Sequence, residues 1–112
     1  MSKFYIDKDR EGKYRYLLVA DNGEPILRDS EGHSYKSACE KSIEAVKTNA
    51  PFDSRYNRLG FGPYSFTLVA ANGERIGVSE TYTTAYDRDR GIEAVKREAP
   101  TATVVDRTMS FA

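Results

Sequence analysis

The sequence contains itself twice. Displaced by 50 residues, Gly12–Arg28 lies on Gly62–Val78; displaced by 49, Ser30–Pro51 lies on Ser79–Pro100. Each block holds nine identities, 18 over 39 aligned pairs, and they cluster instead of scattering. One string is Leu18-Val19-Ala20 with Asn22-Gly23-Glu24, the other Ile43-Glu44-Ala45-Val46-Lys47. A duplication limits the fold more than any composition can, because what one copy makes the other must make too. The copies run through about residues 3–51 and 52–108. A chain of 112 residues has room for one domain, 1–112, and not for two independent cores of ordinary size.

The first string predicts a β-hairpin. Asn22-Gly23 and Asn72-Gly73 suit a type I′ turn, in which both central residues take positive φ. Strand segments flank each turn: Tyr14–Ala20 and Glu24–Arg28, then Tyr64–Ala70 and Glu74–Val78. Alternation puts Tyr14, Tyr16, Leu18 and Ala20 on one face with Tyr64, Phe66, Leu68 and Ala70. This face is the bulkier and better matched between copies, so it is assigned to the core. The opposite face carries Arg15, Leu17 and Val19, and in the second copy Ser65, Thr67 and Val69.

The second string predicts a helix. Cys39, Ile43, Val46 and Ala50 form a stripe at helical spacing, repeated by Ile92, Val95 and Ala99. Ser37-x-x-Glu40 reads as a capping box, Thr84-x-x-Asp87 as a similar start, and Pro51 and Pro100 end the helices. Further strands are expected at Phe4-Tyr5-Ile6, at Arg55–Leu59 and at Thr103–Arg107. The fold class is therefore α+β: two tandem β-β-β-α repeats sharing an antiparallel sheet, with both helices packed on one face. The need for two copies is physical, since one unit of this size has too thin a core to be stable alone.

The charges balance at 17 basic and 17 acidic residues and are interleaved, which disfavours a phosphate-gripping nucleic-acid surface. Arg15, Arg28 and Arg55 are diluted by Asp7, Glu24 and Asp29. One cysteine, no apolar leader at Met1–Arg10 and no membrane-length apolar window point to a cytoplasmic protein.

The run Val69-Ala70-Ala71-Asn72-Gly73-Glu74-Arg75-Ile76-Gly77, followed by Ser79-Glu80-x-Tyr82, resembles the YegP-like family of small bacterial tandem-repeat proteins. So does Arg88-Asp89-x-Gly91-Ile92-Glu93-Ala94-Val95-Lys96. The resemblance covers nearly the whole chain and implies a shared sheet with helices on one side. It brings no assigned activity and no site residues. The first copy departs from the pattern at Lys41-Ser42, where the family usually has Asn-Gly.

No catalytic, cofactor-binding or metal-ligating residues are assigned. His33 is the only histidine and has no ligand or base partner at usable spacing, so it reads as a loop residue. Cys39 falls on the apolar stripe and reads as core. Gly60-Phe61-Gly62 lacks the lysine and helix start of a phosphate loop and reads as a turn. The expected function is a non-enzymatic interaction module working through Arg15, Leu17, Val19, Ser65, Thr67 and Val69, or through an edge strand at Phe4–Lys8 or Thr103–Arg107. Its partner is an unidentified protein or a second copy; nucleic acid and membrane are not expected. The alternative is a small-ligand binder or enzyme at the seam between the repeats, around Ser30-Glu31 and Ser79-Glu80.

Overall fold

The computed structural model describes residues 1–109. Seven strands form one sheet: β1 Lys3–Lys8, β2 Tyr14–Val19, β3 Pro25–Arg28, β4 Tyr56–Leu59, β5 Ser65–Val69, β6 Arg75–Val78 and β7 Thr103–Asp106. The helices are α1 Lys36–Asn49 and α2 Ala85–Glu98. The strand order β4-β5-β6-β3-β2-β1-β7 places two three-stranded meanders back to back, with β3 and β6 antiparallel at the centre. This is the duplicated α+β sheet expected from the repeat. A pseudo-twofold axis passes through the β3–β6 seam.

The core lies between the sheet and the helices, and both copies fill it. Phe4, Leu18, Ile43 and Val46 are fully buried beside Phe66, Leu68, Ile92 and Val95 in one continuous cluster. Each helix reaches past its own meander. α1 packs on β2 and also on β5 and β6, while α2 packs on β5 and on β3 of the first copy. Neither copy closes its core alone, because each helix face is covered in part by the other copy's strands.

At the axis the two copies are not alike. Leu27 and Gly77 hold matching positions, and Leu27 is fully buried. A Cβ on Gly77 would lie 2.8 Å from both Cγ and Cδ2 of Leu27 and 2.7 Å from the Tyr16 hydroxyl. Two leucines would collide there, so one copy supplies the bulk and the other the space. The Tyr16 hydroxyl donates across the same seam to the Ile76 carbonyl. Phe66, its counterpart, has no hydroxyl to do so.

Three local expectations are corrected. Within each hairpin tip the glycine alone has positive φ, Gly23 at 88° and Gly73 at 89°, and the asparagine does not, so neither turn is type I′. Gly23 donates to the Ala20 carbonyl and Ala20 to that of Glu24, a three-residue loop whose last member needs glycine. The second tip repeats this through Ala70, Gly73 and Glu74. α1 starts one residue before Ser37, with Tyr35 at its cap and no side-chain bond, whereas Thr84 does cap α2 by accepting from the Asp87 amide. Finally, β7 pairs parallel to β1, the one parallel pair in the sheet. α2 crosses the helix face before the chain returns to the sheet, and it re-enters in the direction of β1.

Candidate functional site

The expected interaction surface is the face of the sheet away from the helices. Arg15 is exposed, Leu17, Val19, Ser65 and Val69 are half-buried, and none of the described helices covers them. Register adds half-buried Tyr5, Val78 and Val105 to the same face, since they stand opposite Leu17, Thr67 and Tyr5. Thr67 is the exception, only 6% exposed. It sits in the middle of the second meander, flanked by Asn57 and Val78, and alternation along one strand gives no warning of such lateral cover. The basic groups on or beside this face are mostly engaged. Arg15 meets Asp9 at 2.9 Å, Arg28 meets Glu80 at 2.7 Å, and Arg107 pairs with Asp7 while lying 4.0 Å above the Tyr5 ring. Arg55 binds the Asn49 side chain instead. An electrostatic grip on phosphates would have to break these pairs.

The expected edge at Phe4–Lys8 is not an edge, because β1 lies between β2 and β7. The sheet ends at β7, as expected, and at β4.

The seam residues are used structurally. Ser30 Oγ donates to the Arg75 carbonyl, and Glu80 holds Arg28. Nor are the two Ser-Glu pairs equivalent. The Asp29 amide donates to Tyr16 O, and the Ser79 amide to Phe66 O, so Asp29 is the match of Ser79 and the deleted position lies further on.

That correction exposes a polar cluster the sequence reading missed. Asp29, 4% exposed, sits under α1 and accepts from the Tyr16 amide; Ser79 Oγ accepts from the Phe66 amide at the matching place. His33 Nε2 lies 3.1 Å and 3.3 Å from the two Asp29 oxygens and 3.2 Å from Ser42 Oγ. Its ring is semi-buried, in a loop held to Tyr14 by two backbone bonds. Burial raises the Asp29 carboxyl above its ordinary range, against the lowering pull of His33. Asp, His and Ser together suggest a nucleophile relay, but a relay needs the carboxylate on one ring nitrogen and the hydroxyl on the other. Here both share Nε2, so His33 cannot accept the Ser42 proton while it faces Asp29. Cys39 is fully buried, and burial with the Asp29 charge pushes its thiol up to about 12, far from a reactive thiolate. It is the core residue its spacing indicated. The described residues hold no group of three potential metal ligands.

In the second copy Tyr82 replaces His33 and Gly91 replaces Ser42. A Cβ on Gly91 would fall 2.5 Å from the Tyr82 hydroxyl, so the glycine makes room for the ring. Tyr82 forms part of the wall of a groove of about 660 Å³ between the first hairpin tip, at Asn22 and Glu24, and α2, at Arg90 and Ala94.

A family model described as "Domain of unknown function (DUF1508)" matches the chain twice, at residues 9–57 and 62–106. The chain belongs to the DUF1508 family. Its YegP-like character is equally direct. It is 39% identical over 107 residues to the UPF0339 protein YegP of Escherichia coli, covering 94% of this chain and 96% of that protein. It is 45% identical over 105 residues to the UPF0339 protein in the ptx operon 5' region of Stutzerimonas stutzeri, covering 92% and 94%. The solution NMR structure of E. coli yegP, described as a protein of unknown function, superposes with a TM-score of 0.88 at 38% identity, covering 98% of this chain and 96% of that one. UPF0339 protein SO3888 from Shewanella oneidensis gives 0.86 at 34% identity, covering 94% and 90%. The double DUF1508 match is the duplication seen in the residues, and the family is an uncharacterised one. No helix among the described residues is long and apolar enough to cross a membrane.

Proposed function

We propose that this DUF1508 protein is a non-enzymatic protein-binding module of the cytoplasm whose contact surface is the open face of the sheet. One observation carries the reading. Both helices lie on the other face, and the open one presents two half-buried apolar groups, Tyr5, Leu17, Val19 and Val105 on one side and Val69 and Val78 on the other, with exposed Arg28 of β3 between them. Apolar groups divided and flanked by basic residues that already hold carboxylates suit a protein partner better than a polyanion. The cytoplasmic assignment rests on the single, buried, unpaired Cys39.

The test is site-specific photocrosslinking in cells. A benzophenone side chain at Val19 should give a discrete adduct that one at exposed Glu44 on α1 does not. Matching adduct patterns from both sites, or none from Val19, would count against the open face.

A second reading, a small-ligand site at the seam, has its own observation. The Tyr82 hydroxyl has no protein hydrogen-bond partner among the described residues and belongs to the wall of the groove between the first hairpin and α2. A thermal-shift screen of metabolites in which no compound raises the melting temperature removes it.

A further inference from the structure

We propose that the groove between the first hairpin tip and α2 binds a free α-amino acid with an apolar side chain. Glu24, Asp87 and the Tyr82 hydroxyl hold its ammonium, and Arg90 holds its carboxylate. The proposal rests on the reading of this groove as a small-ligand site and names the ligand it takes.

The two copies reach this place with matching elements and finish it differently. In the first copy, His33 spends its Nε2 on Asp29 and Ser42, so the polar end of the ring is satisfied within the chain. In the second copy, Ser79 stands for Asp29 and Gly91 for Ser42. Ser79 Oγ is already taken, accepting from the Phe66 amide and donating to the Glu80 carbonyl, and Gly91 has no side chain to offer. The Tyr82 hydroxyl is therefore left without a partner among the described residues, on a half-buried ring that walls the groove. That ring is fixed. It stacks on Phe66 at 6.5 Å and 9°, and its backbone is bonded twice to that of Tyr64. A polar group whose position is set before binding adds little ordering cost to the ligand it meets.

The charges along the groove name the ligand. Some are already held: Glu93 pairs with Lys96, and Glu98 pairs with Arg97 and accepts from Ser2 and the Asp21 amide. Glu24, Asp87 and Arg90 are the ones left over, with no ion pair among the described residues. Arg90 only lies over the exposed Tyr86 ring, 5.9 Å from its centroid. Burial raises the Tyr82 phenol above its ordinary range, and Glu80, Glu24 and Asp87 add to it, so the field at the hydroxyl is negative. Glu80 is engaged by Arg28. An ammonium brings three donors, one each for Glu24, Asp87 and the hydroxyl oxygen. Arg90, three residues after Asp87, is its neighbour on the α2 surface and offers a carboxylate a forked contact. A bare cation would be repelled by Arg90, and a bare anion by the two carboxylates. Ile26, 6% exposed, and half-buried Ala94 give the apolar lining that receives the side chain. The first copy lacks the set, since Ala38 stands where α2 has Asp87.

The probe is L-leucine, titrated into the isotope-labelled full-length protein and followed by NMR. Beside it run L-leucinol, which lacks the anion, and N-acetyl-L-leucine, which lacks the cation. The expected result is saturable movement of the Thr83, Gly91 and Ala94 amides in the millimolar range, several-fold weaker for each of the other two compounds. Glu24→Gln and Arg90→Gln, both at exposed positions, should each weaken leucine several-fold with the remaining spectrum in place. Arg90→Gln should also erase the preference for leucine over leucinol, and Tyr82→Phe should weaken both. No movement at α2, equal responses to all three compounds, or leucine binding unaltered by Arg90→Gln overturns the proposal. A metabolite that raises the melting temperature while leucine moves nothing overturns the amino-acid assignment and leaves the groove reading standing; no response in either experiment removes both.

Discussion

Replacing Gly77 with alanine tests how the two copies fit at the axis. Gly77 is not among the positive-φ glycines, so alanine can adopt its backbone, and in an open strand the change would stabilise by about 0.5–1 kcal/mol. Here the new methyl lands 2.7–2.8 Å from the Tyr16 hydroxyl and from two carbons of Leu27, on a side that is fully buried. Overpacking of that kind costs about 1–3 kcal/mol, so Gly77→Ala should destabilise by about 1–2 kcal/mol in total. Leu27→Ala alone should cost about 2–5 kcal/mol, since it empties a fully buried site. Together the two changes should cost less than their sum, because truncating Leu27 removes two of the three clashing atoms. The expected coupling is at least about 1 kcal/mol in the compensating direction. Urea unfolding followed by circular dichroism measures it, the chain having no tryptophan. Additivity within about 0.5 kcal/mol would refute the idea that Leu27 fills the space Gly77 leaves.

Gly91→Ala should invert the usual helix rule: a gain of about 1 kcal/mol is expected from propensity, but a methyl 2.5 Å from the Tyr82 hydroxyl and 3.3 Å from Phe66 should make thermal melts fall. In a Tyr82→Ala background the same change should raise them. Two carboxylates should bend the acid stability profile in opposite senses. Burial raises the native pKa of Asp29, so its favourable contribution is present below its ordinary 3.8 and is lost as pH rises through the raised value; Asp29→Asn should gain on the parent over that rise. The Lys36 hydrogen bond lowers Asp106 to about 2, so its contribution holds above 3.8 and disappears as pH falls toward that value; Asp106→Asn should be destabilising near neutrality and level with the parent in strong acid. Denaturation midpoints across the acid range check both signs. A thiol reagent should leave Cys39 untouched in the folded protein and label it at once in urea; rapid labelling of native protein would contradict its burial.

Much of the scaffold was legible because it lies in local periodicity. The stripes Cys39-Ile43-Val46-Ala50 and Ile92-Val95-Ala99 are all buried, and the inward faces around Leu18 and Leu68 are where alternation puts them. What escaped depends on which strands become neighbours. No spacing within β5 says that Thr67 is covered from both sides, and none says that β7 will lie parallel to β1 and leave β4 as the other edge. The Asp29–His33–Ser42 cluster escaped for another reason. Placing the deleted position one residue early matched Ser30 with Ser79 and hid Asp29, although a polar residue directly after the strand in both copies, Asp29 and Ser79, was a usable signal. The loss matters because that cluster holds the buried carboxyl of Asp29, and in the second copy Ser79, Tyr82 and Gly91 stand in place of its members. The open face was readable as a face but not as a surface, because only the sheet order sets Arg28 of β3 between its two apolar groups.

Native-state hydrogen exchange tests most directly whether the two copies make one core. Each helix packs on strands of both copies, so the most protected amides of β2 and β5 should exchange through one global opening, with the same free energy and the same denaturant slope. Two distinct openings, one copy exchanging well below the other, would contradict the account.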